Sequence, residues 1–122
     1  MKPEIRFHIR DSQQRTPVWI GPGKVALLEA ISETGSITSS AKKLGMSYRR
    51  AWLLIEETNS CLVRPAVVTA TGGRHGGGTT LTTVGVQLVR RYRALERRTA
   101  LAVNRDLKTL LRTIPVRERG SD

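Results

Sequence analysis

With 122 residues the chain is long enough for one domain with a single core, and its 21 Lys and Arg against 10 Asp and Glu give a formal net charge of +11. This excess favours a polyanionic partner, which on composition alone is DNA, RNA or an anionic membrane surface. One cysteine excludes an internal disulfide, and no apolar run approaches the roughly 20 residues that a membrane-spanning helix needs.

The first predicted element is a β-hairpin. Residues 5–10 alternate between apolar and polar side chains, which is typical of a half-buried strand. Three of them are expected to face the protein, namely Ile5, Phe7 and Ile9, and the other three to face solvent, namely Arg6, His8 and Arg10. After a polar connection, residues 17–20 are predicted to form the short return strand.

A first helix is predicted from Lys24 to Thr34. Leu27, Leu28 and Ile31 recur in it at helical spacing. Pro22 is tolerated at a helix start, and Gly35 is a natural helix stop.

A helix-turn-helix is predicted next. Thr38 is expected to be the N-cap of a short helix over residues 39–44, whose Ala41 and Leu44 would face the core. Gly45 then supplies the left-handed conformation that ends this helix. Ser47 is a good N-cap for the second helix. Only one residue then lies between Gly45 and this cap, which gives the tight turn that the motif requires.

The second helix of this motif is predicted to have one buried and one exposed face. Four residues fall on the inner side, namely Ala51, Leu54, Ile55 and Thr58, and Arg49 and Leu53 fall on the outer side. Glu56 and Glu57 would repel phosphate, so DNA contact is confined to the first half of the helix. Trp52 is expected to pack at the edge of the core.

The exposed first turn, Tyr48–Arg50, carries the predicted DNA contacts. An arginine can donate two hydrogen bonds to guanine, worth about 1–3 kcal/mol of discrimination, whereas contact with phosphate alone gives no sequence preference. Base contact is favoured for Arg49 over Arg50, and Tyr48 could touch a thymine methyl or a phosphate. Lys42 and Lys43 either reach a phosphate or form a solvated face.

A glycine-rich hairpin follows. Residues 66–71 and 79–82 are predicted strands, joined by the loop G-G-R-H-G-G-G, which has too little to bury to be a packed element. A hairpin in this position is a wing, in which Arg74 and the neighbouring His75 could meet a phosphate or the minor groove. The alternative is a plain flexible turn without a function. A Walker-type phosphate loop does not fit, because it would need a lysine where Gly78 stands.

The last predicted element is a long helix that starts after Thr82 or Thr83 and runs to about Arg112. A stripe at three-four spacing includes Val84, Leu88, Tyr92, Leu95, Thr99, Ala102, either Asp106 or Leu107, and then Leu110 and Ile114. Because so small a domain cannot bury the whole stripe, the distal half of the helix is expected to pack on a twofold copy of itself. Five arginines make the helix basic, namely Arg90, Arg91, Arg93, Arg97 and Arg98. The domain is expected to span residues 1–114 and a flexible tail residues 115–122.

No residue pattern indicates catalysis, a cofactor or a metal. His8, His75 and Cys61 are the candidate soft ligands, and no two of them have ligand spacing. A lone cysteine is usually a small buried hydrophobe. Because the N-terminus lacks the apolar core of a signal peptide, we expect a soluble cytoplasmic protein that associates with the nucleoid.

Residues 21–38, 45–59 and 69–82 together resemble the N-terminal domain of the ModE family of molybdate-responsive bacterial transcription regulators. The run M-S-Y-R-R-A-W and the glycine-rich wing before L-T-x-x-G are the most specific features, and the similarity extends over about residues 5–112. The resemblance implies a mainly α winged helix-turn-helix with small β-hairpins, dimerised through its first and last helices. It also implies operator binding through the helix that starts at Ser47 and through the wing around Arg74.

Three departures from the family pattern limit what can be transferred. The chain ends where the family's molybdate-binding domains would begin, so it resembles the stand-alone members and no effector can be assigned to it. Ser40 stands where the family favours alanine, and Thr83 replaces a common proline. The expectation is a dimeric regulator without enzymatic activity that binds an inverted repeat in double-stranded DNA. The alternatives are an architectural DNA binder that contacts only phosphates and a dimeric adaptor that docks on an acidic protein through its basic helix.

Overall fold

The computed structural model describes residues 3–13, 20–70 and 78–117. It contains four helices and one antiparallel hairpin in these residues, in the order α1 (Pro22–Thr34), α2 (Ile37–Leu44), α3 (Tyr48–Ser60), β1 (Val67–Thr69), β2 (Thr79–Leu81) and α4 (Thr83–Thr113). In the hairpin Val67 is paired with Leu81 and Thr69 with Thr79. The predicted fold class, a mainly α winged helix-turn-helix with a long last helix, is confirmed.

The main core lies between the first three helices and the hairpin. Its buried side chains are Leu27, Leu28 and Ile31 of α1, Ile37 and Ala41 of α2, Ala51, Leu54 and Ile55 of α3, and Ala66 and Val67 at the hairpin. The inner faces predicted for α1, α2 and α3 are confirmed, with Thr58 also buried and Leu44 packed against the cluster.

The C-terminal ends of α1 and α2 and the N-cap of α3 were predicted correctly, whereas α1 begins at Pro22, two residues before its predicted start at Lys24. Gly35 and Gly45 both have a φ of 69°, the left-handed conformation that ends α1 and α2. The side chain of Ser47 accepts a hydrogen bond from the backbone N–H of Arg50 over 3.1 Å. The predicted N-cap of α2, Thr38, is wrong: Ser36 caps it by accepting from Ser39. The earlier start places Ile37 in the first turn of α2, where its side chain is buried.

The contact between α1 and α2 also accommodates the buried Ser40. Its hydroxyl lies 2.8 Å from that of Thr34, so this buried polar group has a partner. A buried hydroxyl without a partner would destabilise the fold.

The predicted N-terminal hairpin is largely wrong within the residues that the structure describes. An isolated bridge joins Ile9 to Ile20, with 2.8 Å from the N–H of Ile9 to the carbonyl oxygen of Ile20, but residues 3–8 form no strand. The rest of the predicted return strand, residues 17–19, lies outside the described residues. Ile9 is exposed, whereas it was predicted to face the protein.

The N-terminal segment packs on α4 instead. The ring of Phe7 stacks on that of Tyr92 with 5.0 Å between centroids, and the hydroxyl of Tyr92 donates to the carbonyl oxygen of Phe7 over 2.7 Å. Burial, and then the nearby carboxylate of Glu96, raise the pKa of the Tyr92 hydroxyl above its ordinary value. Together with Ile20 and Val25, Tyr92 forms a second small core. Side-chain contact with a helix therefore orders this segment.

The connection between α3 and the hairpin depends on Asn59. Its side-chain oxygen accepts from the backbone N–H groups of Ala66 and Val67, and its side-chain nitrogen donates to the carbonyl oxygen of Val67. These bonds fix the hairpin to the end of α3. Cys61, which begins the connection, is exposed, so the expectation of a buried cysteine is wrong.

Helix α4 contacts the two cores through its first half. Thr82 is its N-cap, accepting from the N–H of Gly85, and the residues that contact the two cores are Leu88, Val89 and Tyr92. Several side chains of the predicted stripe are exposed, namely Leu95, Ala102, Leu110 and Ile114.

Candidate nucleic-acid interface

The exposed face of α3 is centred on Arg49. The four buried residues of this helix share one side, and at 100° per residue Arg49, Leu53 and Glu56 lie on the opposite side. No ion pair within the described part of the chain involves Arg49. Its guanidinium is therefore free to donate to an external acceptor, and the Ser47 cap holds the turn that carries it.

Arg50 points to a different side of α3. It lines a groove with His8, Gly21 and Lys24, at the start of α1. Lys24 pairs with Glu57 of α3 at 3.2 Å, so one of the two carboxylates expected to repel phosphate is neutralised. Because Arg50 lies beside the start of α1, about 100° around the helix from Arg49, it is less suited than Arg49 to reach into a groove of DNA.

Two aromatic side chains flank Arg49 on its other side. Tyr48 is 54% exposed and Trp52, one helical turn later, is 44% exposed. The prediction that Trp52 packs at the edge of the core is wrong, because its position on the helix points about 100° away from the centre of the buried face. The spacing of Trp52 from the four inner residues was visible in the sequence and could have identified it as an exposed candidate.

The two lysines of α2 differ in their surroundings. Lys43 forms an ion pair with Glu33 of α1, whereas Lys42 is exposed and has no ionic partner among the described residues. An exposed ion pair is worth about 0–1 kcal/mol, so Lys43 can exchange its carboxylate for a phosphate at little cost. Both lysines precede the turn that leads to the Ser47 cap.

The hairpin stands next to α3 as a wing. Val68 in β1 is exposed, and the Asn59 hydrogen bonds hold the base of the hairpin against the end of α3. Arg74 and His75, the predicted DNA contacts of the wing, lie outside the described residues, as does the rest of residues 71–77.

Two other kinds of site are absent from the described ranges. No three His, Cys, Asp or Glu side chains lie together there in a way that could hold a metal ion. None of the helices is both long and apolar enough to cross a membrane.

Comparison with known proteins reveals several related chains. The sequence is 43% identical over 83 residues to the molybdenum-pterin-binding protein MopB of Rhodobacter capsulatus, covering 68% of this chain and 31% of that one. It is 48% identical over 73 residues to the molybdenum transport protein ModE of Azotobacter vinelandii, covering 60% and 27%. It is 37% identical over 92 residues to the DNA-binding transcriptional dual regulator ModE of Escherichia coli, covering 75% and 34%.

The chain thus spans about a third of the length of these relatives. No model of a protein family matches it. Among solved structures, ArgP from Mycobacterium tuberculosis aligns with a TM-score of 0.47 at 24% identity, over 71% of this chain and 29% of that one.

Proposed function

Because this chain is homologous to the ModE family of transcriptional regulators, we propose that it is a sequence-specific DNA-binding regulator that reads the major groove with α3. The observation that carries the proposal is Arg49, an exposed guanidinium without an ionic partner among the described residues, on the first turn of a helix capped by Ser47. A recognition helix contacts base edges with its N-terminal residues, and a guanidinium can donate two hydrogen bonds to guanine.

The other candidate residues would hold the protein on the phosphate backbone. Arg50, Lys42 and Lys43 are cationic and lie beside the same turn, so they suit phosphates on either side of the groove. Arg74 and His75 are proposed to act in the same way from the wing. Such contacts give affinity and orientation but no sequence preference.

The protein is proposed to bind as a homodimer formed through α4. Beyond Tyr92 the helix exposes Leu95 and Leu110, which are 46% and 50% exposed in the single chain, and Ile114, directly after its last residue, is 56% exposed. A second copy of the helix would cover them, as exposed apolar stripes often indicate. A twofold dimer would present two copies of α3 to half-sites about 34–36 Å apart, or a multiple of this distance.

Selection of bound sequences from random duplexes tests this function. We expect an inverted repeat, bound by a complex that contains two chains and about a thousandfold or more tighter than a scrambled duplex of the same length. The comparison should be made over a series of salt concentrations, because phosphate contacts weaken with salt on both duplexes. Equal affinity for both duplexes would remove the sequence-specific part and favour an architectural DNA binder.

A second prediction concerns Trp52. Its exposed ring lies one turn after Tyr48 on the outer face of α3, which suits apolar contact with the methyl group of thymine. Burying one methyl group is worth about 0.8 kcal/mol, or about fourfold in affinity. We expect uracil in place of one thymine of the selected site to weaken wild-type binding by about fourfold and to leave the affinity of the Trp52→Ala variant unchanged. An equal loss in both proteins would assign the methyl contact elsewhere, and Tyr48→Ala is the next variant to compare.

A further inference from the structure

Helix α4 carries a continuous cationic face. Seven side chains between residues 90 and 112 are exposed and cationic, namely Arg90, Arg91, Arg97, Arg98, Arg105, Lys108 and Arg112. At 100° per residue they fall within an arc of about 120° on the helix surface. The two acidic residues of this stretch, Glu96 and Asp106, lie outside that arc. We call these seven side chains the α4 cationic stripe.

The stripe is longer than the sequence suggested, and its membership differs. Arg93 was counted among the basic residues of this helix but lies outside the arc. Its Nε donates to a carboxylate oxygen of Glu29 over 3.1 Å, and another of its nitrogens donates to Glu96. These carboxylates raise the pKa of Arg93, so it stays charged and paired. Arg105, Lys108 and Arg112 extend the stripe instead, to about 33 Å at 1.5 Å per residue.

The position of the stripe leaves it accessible in a dimer as well as in the single chain. It lies opposite the side of α4 on which Gly85 and Tyr92 are buried. Of the exposed apolar residues that would face a second copy, Leu110 and Ile114 also lie opposite the stripe, and Leu95 lies about 40° beyond the edge of its arc. Among the residues that the structure describes, none of the seven cations forms an ion pair.

We propose that the α4 cationic stripe binds the phosphate backbone of duplex DNA outside the segment read by α3. A row of seven cations complements a phosphate backbone, and the release of condensed counterions drives such binding without sequence preference. An acidic protein surface is less suitable, because protein interfaces depend on buried apolar and aromatic anchors. The arc offers Leu101 as its one large apolar side chain, 80% exposed. The proposal goes beyond the proposed function, since it requires no recognition of bases.

The test measures the salt dependence of binding to a 60-base-pair duplex that lacks the selected site. The stripe variant combines Arg98→Gln, Arg105→Gln and Lys108→Gln. The control removes the same charge from exposed arginines outside the stripe by combining Arg10→Gln, Arg64→Gln and Arg117→Gln. Thermal unfolding of both variants shows whether they fold as the wild type does.

Each lost phosphate contact reduces the magnitude of the slope of log K against log salt by about 0.9. Relative to the wild type, this magnitude should therefore fall by about 2 to 3 in the stripe variant and by less than about 1 in the control. Equal slopes in the two variants would overturn the proposal. So would a difference between them that appears with polyglutamate and not with DNA, because the stripe would then fit an acidic protein.

Two further arms distinguish the sources of the phosphates. If the stripe contacts flanking DNA, the difference between stripe variant and control should appear with the selected site in a 60-base-pair duplex but not in a 20-base-pair one. If it contacts a second duplex, wild type and control should link a labelled duplex to an immobilised one, and the stripe variant should not. The ratio of affinities for selected and scrambled short duplexes should be unchanged in the stripe variant. In one outcome, the wild type shows no sequence preference while the stripe variant still loses more of the salt slope than the control. That result would refute the proposed function and support the binding of phosphate by the stripe.

Discussion

The Arg49→Ala variant should lose base preference at one position of each half-site while it keeps most of its affinity for scrambled DNA. Arg49 lies at the centre of the exposed face of α3, where its guanidinium can donate two hydrogen bonds to a guanine. Removing such a pair costs about 1–3 kcal/mol of discrimination, or about 5- to 150-fold for each half-site. Competition between the selected duplex and single-base variants of it measures this ratio directly.

Two matched variants separate base contact from charge. Arg49→Lys keeps the positive charge but loses the planar fork, so it should keep the salt dependence and still lose the preference. Arg50→Ala, on the side of α3 that faces the start of α1, should weaken binding to all sequences alike. If Arg49→Ala weakens binding uniformly and leaves the ratio between selected and variant sites intact, Arg49 contacts phosphate and the proposed reading of bases is incorrect.

The Gly85→Ala variant should be much less stable than the wild type. A methyl group at this position would overlap the carbonyl oxygen of Ala66 and would lie 3.1 Å from its carbonyl carbon. That carbonyl cannot easily move, because its oxygen accepts from the N–H of Thr82 over 2.9 Å and the N–H of Ala66 donates to Asn59. We expect a loss of about 3 kcal/mol in the free energy of unfolding, the upper end for overpacking.

Thermal or urea unfolding at one fixed chain concentration measures this loss, which should lower the Tm by roughly 10–20 °C. Gly23→Ala is the control, since this glycine lies in the first turn of α1 and a methyl group there would meet no atom within 4 Å. That change should leave stability unaltered or raise it by about 0.5–1 kcal/mol. If the Gly85→Ala variant has the same Tm as the wild type, α4 and the hairpin can move apart without a loss of stability, which would contradict this prediction.

The sequence by itself determined the local features of this protein. The ends of α1 and α2 at Gly35 and Gly45, the Ser47 cap and the four inner residues of α3 were all predicted. Each depends on a hydrogen bond or a periodicity that spans only a few neighbouring residues, so the chain carries the information locally. The resemblance of residues 21–38, 45–59 and 69–82 to a family supplied the same fold independently.

Contacts between distant parts of the chain decided the remainder. Ile9 is exposed because the N-terminal segment packs on α4 through Phe7 and Tyr92 and not as a regular strand. Arg93 is not available to an external anion, because Glu29, 64 residues earlier, pairs with it. Gly85 is required because the backbone of Ala66 approaches it closely. Burial and pairing of this kind depend on which segments meet, and the spacing of residues along one helix contains no information about its neighbours.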